Sequence, residues 1–298
     1  MKKGVLFGIG AYTLWGFFPI YWKWLHAVSP LELIGHRVAW SFLMLLGFIL
    51  ITGQWVDFRA AFQPRILRLY LLASVLIGAN WLVYVWAVNA GHIVETSLGY
   101  FINPLLSVLF SLLFLREKLR PLQWVPIGLA FLGVLYLTVE FGRLPWIALT
   151  LAFTFGFYGL VKKLAPLSSL MGLTLETGLL FIPAVVYVAY LEGTGSASFL
   201  HTGLLPDLLM IGAGLVTTIP LLMFASAARE IPLTMIGILQ YLAPTIQFLI
   251  GVFLYKEPFD RARLMGFSMV WLALVFFWVE NYLASKRPLE VVPELGEG

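Results

Sequence analysis

Apolar residues run along this chain in long uncharged stretches joined by short polar segments. The stretches are Gly4–Trp22, Val38–Val56, Leu69–Val94, Thr96–Leu115, Pro121–Val139, Leu144–Val161, Leu208–Ala228, Ile231–Tyr255 and Leu264–Val279. Each has about the length that crosses roughly 30 Å of hydrocarbon as a helix. In lipid every backbone amide and carbonyl needs an internal partner, which closed helices supply. The pattern predicts ten spans, over about 4–25, 31–52, 68–89, 93–115, 121–139, 144–163, 171–191, 207–228, 232–255 and 262–283. Glu176 and Pro183 interrupt the seventh. The first run follows Met1-Lys2-Lys3, has no small-residue cleavage site, and reads as a retained helix.

The apolar pattern repeats. A shift of 140 residues superposes Gly16 on Gly156, Lys23 on Lys163, Ser29 on Ser169, Asn103-Pro104 on Ala243-Pro244, and Arg116-Glu117 on Lys256-Glu257, without a gap. A unit of five spans repeated once must point the opposite way the second time. The expected fold is therefore an all-α polytopic membrane protein of ten transmembrane helices in two inverted five-helix repeats. The first covers residues 1–140 and the second 141–284, with a flexible cytoplasmic tail over 285–298.

Composition agrees with lipid as the solvent. Hydrophobic residues make up 61% and charged residues 11%, against about 25% charged in soluble domains. The runs are too long for an outer-membrane barrel, whose strands alternate over about ten residues. With both termini inside, the cytoplasmic basic residues are Lys2, Lys3, Arg59, Arg65, Arg68, Arg116, Lys118, Arg120, Lys162, Lys163, Arg229, Lys286 and Arg287. Those outside are Lys23, Arg37, Arg143, Lys256, Arg261 and Arg263. The split of 13 to 6 places both termini in the cytoplasm. No basic block indicates nucleic acid, and nothing in the sequence sets an oligomeric state.

Polar residues inside the spans mark the candidate chemistry, because ionisable groups at membrane depth are costly and usually face a cavity or a partner. Lys23 ends the first span and Glu32 begins the second, so a tight hairpin pairs them. Glu32 and His36 share one helical face. These residues form either a charged rim or gate at the outer mouth, or an interfacial structural pair. Arg37, deeper in the second span, is expected to face a cavity or a buried partner. Tyr12, Trp15, Gly16, Pro19 and Lys23 fall along one side of the first helix. Asn80, Trp81 and Tyr84 cluster in the third span. Thr96, Tyr100, Asn103, Ser107 and Ser111 form a polar face on the fourth, with Glu95 beside it. That face suits either solute contact or hydrogen bonding between helices. In the second half, Gln240 takes the repeat position of Tyr100, and Glu176 takes that of His36. Glu176 is a candidate either for proton coupling or for a fixed ion pair. The expected pathway residues are Tyr12, Trp15, Asn80, Tyr84, Tyr100, Asn103 and Gln240. The expected gating or coupling residues are Lys23, Glu32, His36, Arg37, Glu95 and Glu176.

Other chemistry finds no motif. The absence of cysteine excludes disulfides and thiolate chemistry. No Walker A loop is present, the four histidines form no zinc spacing, and no nucleophile motif organises the serines. No catalytic residue, metal or cofactor is expected.

The segments Ala11-Tyr12-Thr13-Leu14-Trp15-Gly16, Pro19-Ile20-Tyr21-Trp22-Lys23, Glu32…His36-Arg37, Glu95-Thr96-Ser97-Leu98-Gly99-Tyr100 and Phe101-Ile102-Asn103-Pro104 resemble the RarD-like transporters. These belong to the EamA branch of the drug/metabolite transporter superfamily. The likeness reaches nearly the whole chain up to about Ala284. It implies ten helices, inverted halves, cytoplasmic termini in a bacterial inner membrane, and secondary transport of small metabolites, with export as one direction. Amino acids and other small amphipathic compounds are the solutes that broader analogy suggests. The competing reading is a membrane assembly or sensor protein that uses the same polar stripes to bind a partner.

Overall fold

The computed structural model describes residues 2–89, 93–141, 145–256 and 261–285. Arg143, Glu257 and residues 286–298, and the side chain of Glu95, lie outside the described residues. All regular structure among the described residues is helical. The helices are Lys2–Trp24 (α1), Pro30–Ile51 (α2), Trp55–Ala60 (α3), Pro64–Asn89 (α4), Ile93–Phe114 (α5), Trp124–Phe141 (α6), Trp146–Leu164 (α7), Ser169–Gly193 (α8), Leu204–Glu230 (α9), Leu233–Leu239 (α10), Leu242–Leu249 (α11) and Arg261–Ser285 (α12). A 3-10 turn at Pro121–Gln123 leads into α6, and α11 continues as a π-helical turn, Ile250–Leu254.

Seven of these helices are long and apolar enough to cross a membrane: α1, α2, α4, α6 with its leading turn, α7, α8 and α9. Shorter apolar stretches, Gly99–Phe114 and Leu264–Phe277, lie in α5 and α12. The protein is an all-α polytopic membrane protein. Its outward surface carries Leu14, Phe17, Leu43, Phe48, Leu72, Val75, Leu215 and Ile219, while Glu32, Asn103, Ser107, Ser111, Lys162 and Glu176 are buried. That inversion of the usual soluble arrangement suits a hydrocarbon solvent.

Two elements depart from the sequence expectation. The seventh apolar segment is not interrupted: α8 runs unbroken through Glu176 and Pro183. The ninth is divided into α10 and α11 at Gln240-Tyr241. Pro244 explains the division. Its ring removes the amide that would bond the carbonyl of Gln240 and crowds that carbonyl.

Around the centre, α1 packs on α9 and α11, while α7 packs on α4 and α5. α2 packs on α8 and α9, α4 on α8, and α5 on α10. α12 packs chiefly on α6, away from the centre. Small residues set the tightest crossings. A Cβ at Gly214 would stand 2.8 Å from the backbone carbon of Trp40, and one at Gly16 would stand 2.6 Å from Cβ of Ile246. Without a hydrophobic drive between helices in lipid, such close approach supplies the packing attraction.

Candidate functional site

A cavity of about 270 Å³ occupies the centre of the bundle. From α1 it is lined by Tyr12, Trp15, Phe18, Pro19 and Trp22, spaced three or four apart along one helical face. α2 contributes Arg37, α4 contributes Ile77, Asn80, Trp81 and Tyr84, and α5 contributes Gly99, Tyr100 and Asn103. The far wall is Leu151, Phe155, Leu221, Gln240, Ala243, Pro244 and Gln247. The cavity reaches toward the end of the bundle where α1 finishes and α2 begins, and Tyr100 keeps 38% exposure within it.

Local sequence explains much of the wall. Pro19 has no amide to give the carbonyl of Trp15, and Gln247 Nε2 donates to that freed carbonyl at 3.0 Å. Asn80 Nδ2 donates to the carbonyl of Leu151 at 2.8 Å and to Thr154 Oγ1 at 2.9 Å. It therefore faces the cavity and also ties α4 to α7. Ser107 Oγ donates to Gln240 Oε1 at 3.3 Å. Asn103 Oδ1 is buried with no hydrogen-bond partner among the described residues. Arg37 Nε donates to Thr217 Oγ1 at 2.9 Å. Its guanidinium lies over the rings of Trp22 and Trp81, 4.9 and 4.8 Å from their centroids.

The opposite end of the bundle is closed. Trp15, Phe155 and Phe224 pack with centroid separations of 6.0, 5.8 and 5.5 Å. Tyr158 stacks beneath Phe224 at 6.0 Å. The Tyr158 hydroxyl donates to Glu176 Oε2 at 2.9 Å, and Lys162 Nζ donates to Glu176 Oε1 at 2.7 Å. A continuous set of contacts thus joins the cavity floor to a buried ion pair. Nearby, Glu117 accepts from the amides of Leu233 and Thr234 at 2.9 and 3.2 Å and from the Thr234 hydroxyl at 2.8 Å. Those bonds hold the first turn of α10, whose amides have no intrahelical partner.

The expected pathway residues Tyr12, Trp15, Asn80, Tyr84, Tyr100, Asn103 and Gln240 all line the cavity. Among the expected gating residues, Arg37 lines it as well. Lys23 and Glu32 are not paired. Lys23 Nζ sits over the ring of Tyr255 at 4.9 Å, while Glu32 Oε1 accepts from the amides of Ser198 and Phe199 at 2.7 and 3.1 Å. Two backbone amides at fixed geometry outcompete one flexible ammonium that has a water-exposed alternative. His36 packs its ring on Phe199 at 4.6 Å and is absent from the lining. The polar face of α5 divides. Tyr100 and Asn103 reach the cavity, whereas Ser107 and Ser111 bond α10 through Gln240 and Thr234. Lys162, assigned by sequence to the cytoplasmic loops, is instead 3% exposed and paired with Glu176 at 1%. Its spacing of four residues from Tyr158 was the available signal. Trp22 and Phe155 are further lining residues not expected from the pattern.

The model of the EamA-like transporter family matches residues 2–139. Protein RarD of Streptomyces exfoliatus is 44% identical over 287 residues, covering 96% of this chain and 91% of that protein. An uncharacterized transporter of Vibrio cholerae is 43% identical over 285 residues, covering 95% and 94%. The chain belongs to the EamA-like transporter family. Within it the chain is RarD-like: Protein RarD of Escherichia coli is also 38% identical, covering 96% of this chain and 97% of that protein. A protein crystal structure matches with a TM-score of 0.71 at 18% identity, covering 94% of this chain and 98% of the other, so the two share a fold. Membership makes the protein a multi-pass secondary transporter of the bacterial inner membrane, not an enzyme.

Proposed function

We propose that this protein moves small amphipathic metabolites across the inner membrane by alternating access between two inverted units of five spans. The first unit is α1, α2, α4, α5 and α6, within about residues 1–140. The second is α7, α8, α9, the α10–α11 segment and α12, within about 141–284. Exchanging the two units carries each major helix contact into another: α5–α7 into α1–α11, α1–α9 into α4–α7, and α2–α9 into α4–α8. The pairs α2–α8, α5–α10 and α6–α12 map onto themselves. Gly16 meets Ile246, and Gly156, 140 positions on, meets Leu106, which lies 140 positions before Ile246. Arg116 and Lys256 share a left-handed backbone, with φ of 53° and 55°. Tyr241 donates to the carbonyl of its counterpart Phe101 at 3.4 Å, near the implied two-fold axis.

The observation that carries the transport reading is a central polar-aromatic cavity that reaches one end of the bundle while the other end is packed shut. Tyr12, Trp15, Asn80, Tyr84, Tyr100, Asn103 and Gln240 form the solute path. Glu176, held by Lys162 and Tyr158, latches the closed end, and protonating it would release the latch. Lys162 is buried and Arg37 lines the cavity, which leaves 12 basic residues inside against 5 outside. The termini are then cytoplasmic, the cavity faces outward, and the Lys162–Glu176 pair seals the inner side.

Tracer uptake into proteoliposomes tests the reading, using a panel of labelled amino acids, organic acids and amphipathic drugs with and without a pH gradient. Saturable flux that depends on the protein and drops in Asn103→Leu is expected. No flux for any compound in the panel would refute it.

A further inference from the structure

Arg37 is the sole charged residue of the cavity lining among the described residues. Among the described residues no carboxylate pairs with it. Its neighbours satisfy it incompletely. Nε donates to Thr217 Oγ1, and the rings of Trp22 and Trp81 cover the guanidinium at 4.9 and 4.8 Å. Ring faces attract the cation, contributing about 0.5–2 kcal/mol each, but they accept no in-plane hydrogen bond. The two terminal amino groups have no hydrogen-bond partner among the described residues. A planar fork with a free edge, held against two flat surfaces, matches a carboxylate that takes two parallel hydrogen bonds. Elsewhere the lining is mostly aromatic and aliphatic, with Tyr84 and Tyr100 rings in contact at 5.9 Å. At about 270 Å³ the space is slightly smaller than the roughly 300–1,000 Å³ of typical small-molecule sites, which suits a small solute.

We propose that Arg37 is the anion-recognition residue of this cavity and that the solute is a small organic monoanion, its carboxylate on the Arg37 edge and its apolar body among the aromatic rings. The proposal rests on the transport reading above for its biological sense, but recognition is measurable without flux. A cationic solute would meet an uncompensated like charge there. A neutral one would offer the guanidinium edge at best an uncharged oxygen, a weaker acceptor than a carboxylate.

The test is equilibrium binding to the purified full-length protein in detergent, read by tryptophan fluorescence. Trp22 and Trp81 flank the expected position of the charge. Three probes of one shape are compared: phenylacetate, phenylacetamide and 2-phenylethylamine. Phenylacetate should bind about tenfold or more tighter than the other two, the margin of a charge-assisted hydrogen bond over a neutral one. Arg37→Gln should remove that margin, and Arg37→Lys should retain part of it. If Arg37→Gln does not fold, the ranking in the unaltered protein still decides. Equal affinities, a preference for the amine, or no phenylacetate binding at millimolar concentration overturns the proposal. Selective phenylacetate binding with no flux of any compound would sustain the anion site and count against transport. Flux of cations and neutrals with no anion preference would do the reverse.

Discussion

Lys162 Nζ lies 2.7 Å from Glu176 Oε1 with both side chains almost fully buried, so each charge is tolerated there because of the other. Removing one partner of a buried pair leaves the second uncompensated, at a cost of about 3–5 kcal/mol. Glu176→Gln is therefore expected to lower the denaturant midpoint of the purified protein by that order. The double variant Lys162→Met/Glu176→Leu should regain most of the loss. Two single-variant effects that simply add in the double variant would show that the pair is not coupled.

The chain has no native cysteine, so single cysteines report access directly. Tyr100→Cys and Tyr84→Cys line the cavity and should react with a membrane-impermeant maleimide added outside intact cells. Ser111→Cys, buried against Thr234, should not. Rapid labelling at position 111 with none at 100 would reverse the assignment of open and closed ends.

Lys118 directly follows Arg116-Glu117, Lys256 begins the segment that superposes on that pair at a 140-residue shift, and both lysines are exposed. In an inverted pair of units they lie on opposite faces of the membrane. Lys118→Cys should label only after the membrane is permeabilised, and Lys256→Cys should label in intact cells. Both labelling from one side would contradict the inverted arrangement.

Gly16 and Gly8 make a graded comparison. A Cβ at Gly16 meets the branched Cβ of Ile246 at 2.6 Å, whereas a Cβ at Gly8 meets only the side-chain tip Cδ1 of Leu239 at 2.7 Å. A branch point cannot rotate away and a side-chain tip can. Gly16→Ala should cost about 1–3 kcal/mol, visible as a lower unfolding midpoint, and Gly8→Ala clearly less. Equal costs would mean that the α1–α11 crossing relaxes more easily than its geometry implies.

Helix positions were legible in the sequence because they follow from the run lengths of apolar residues. The cavity wall was largely legible too. Tyr12, Trp15, Tyr100 and Asn103 fall on helical faces where polar and aromatic residues interrupt the apolar background. Partnerships between distant segments were not legible. Glu32 was paired with Lys23 through nearness along the chain, yet its partners are the amides of Ser198 and Phe199, 166 and 167 positions away. Lys162 sits in a tandem with Lys163 at the end of a span, a pattern shared with ordinary interfacial anchors. Their partners distinguish the two lysines: Lys162 reaches Glu176 and Lys163 reaches the carbonyl of Ile231. The break between α10 and α11 needed Pro244 to be weighed against a preceding run of good helix formers, while the comparable Pro104 leaves α5 continuous.

Positions 162 and 176 carry a lysine and a glutamate, and the residues 140 positions earlier are Trp22 and His36. Under the inverted arrangement proposed above, the two units are thus unlike in charge at these positions. One end of the bundle holds a buried ion pair, whereas the matching positions at the other hold an indole and an imidazole. The two halves of a carrier cycle then differ in energy before any gradient is applied. A carrier built so would be biased like a ratchet at rest, with the same door unlocked, and would load preferentially from one bath.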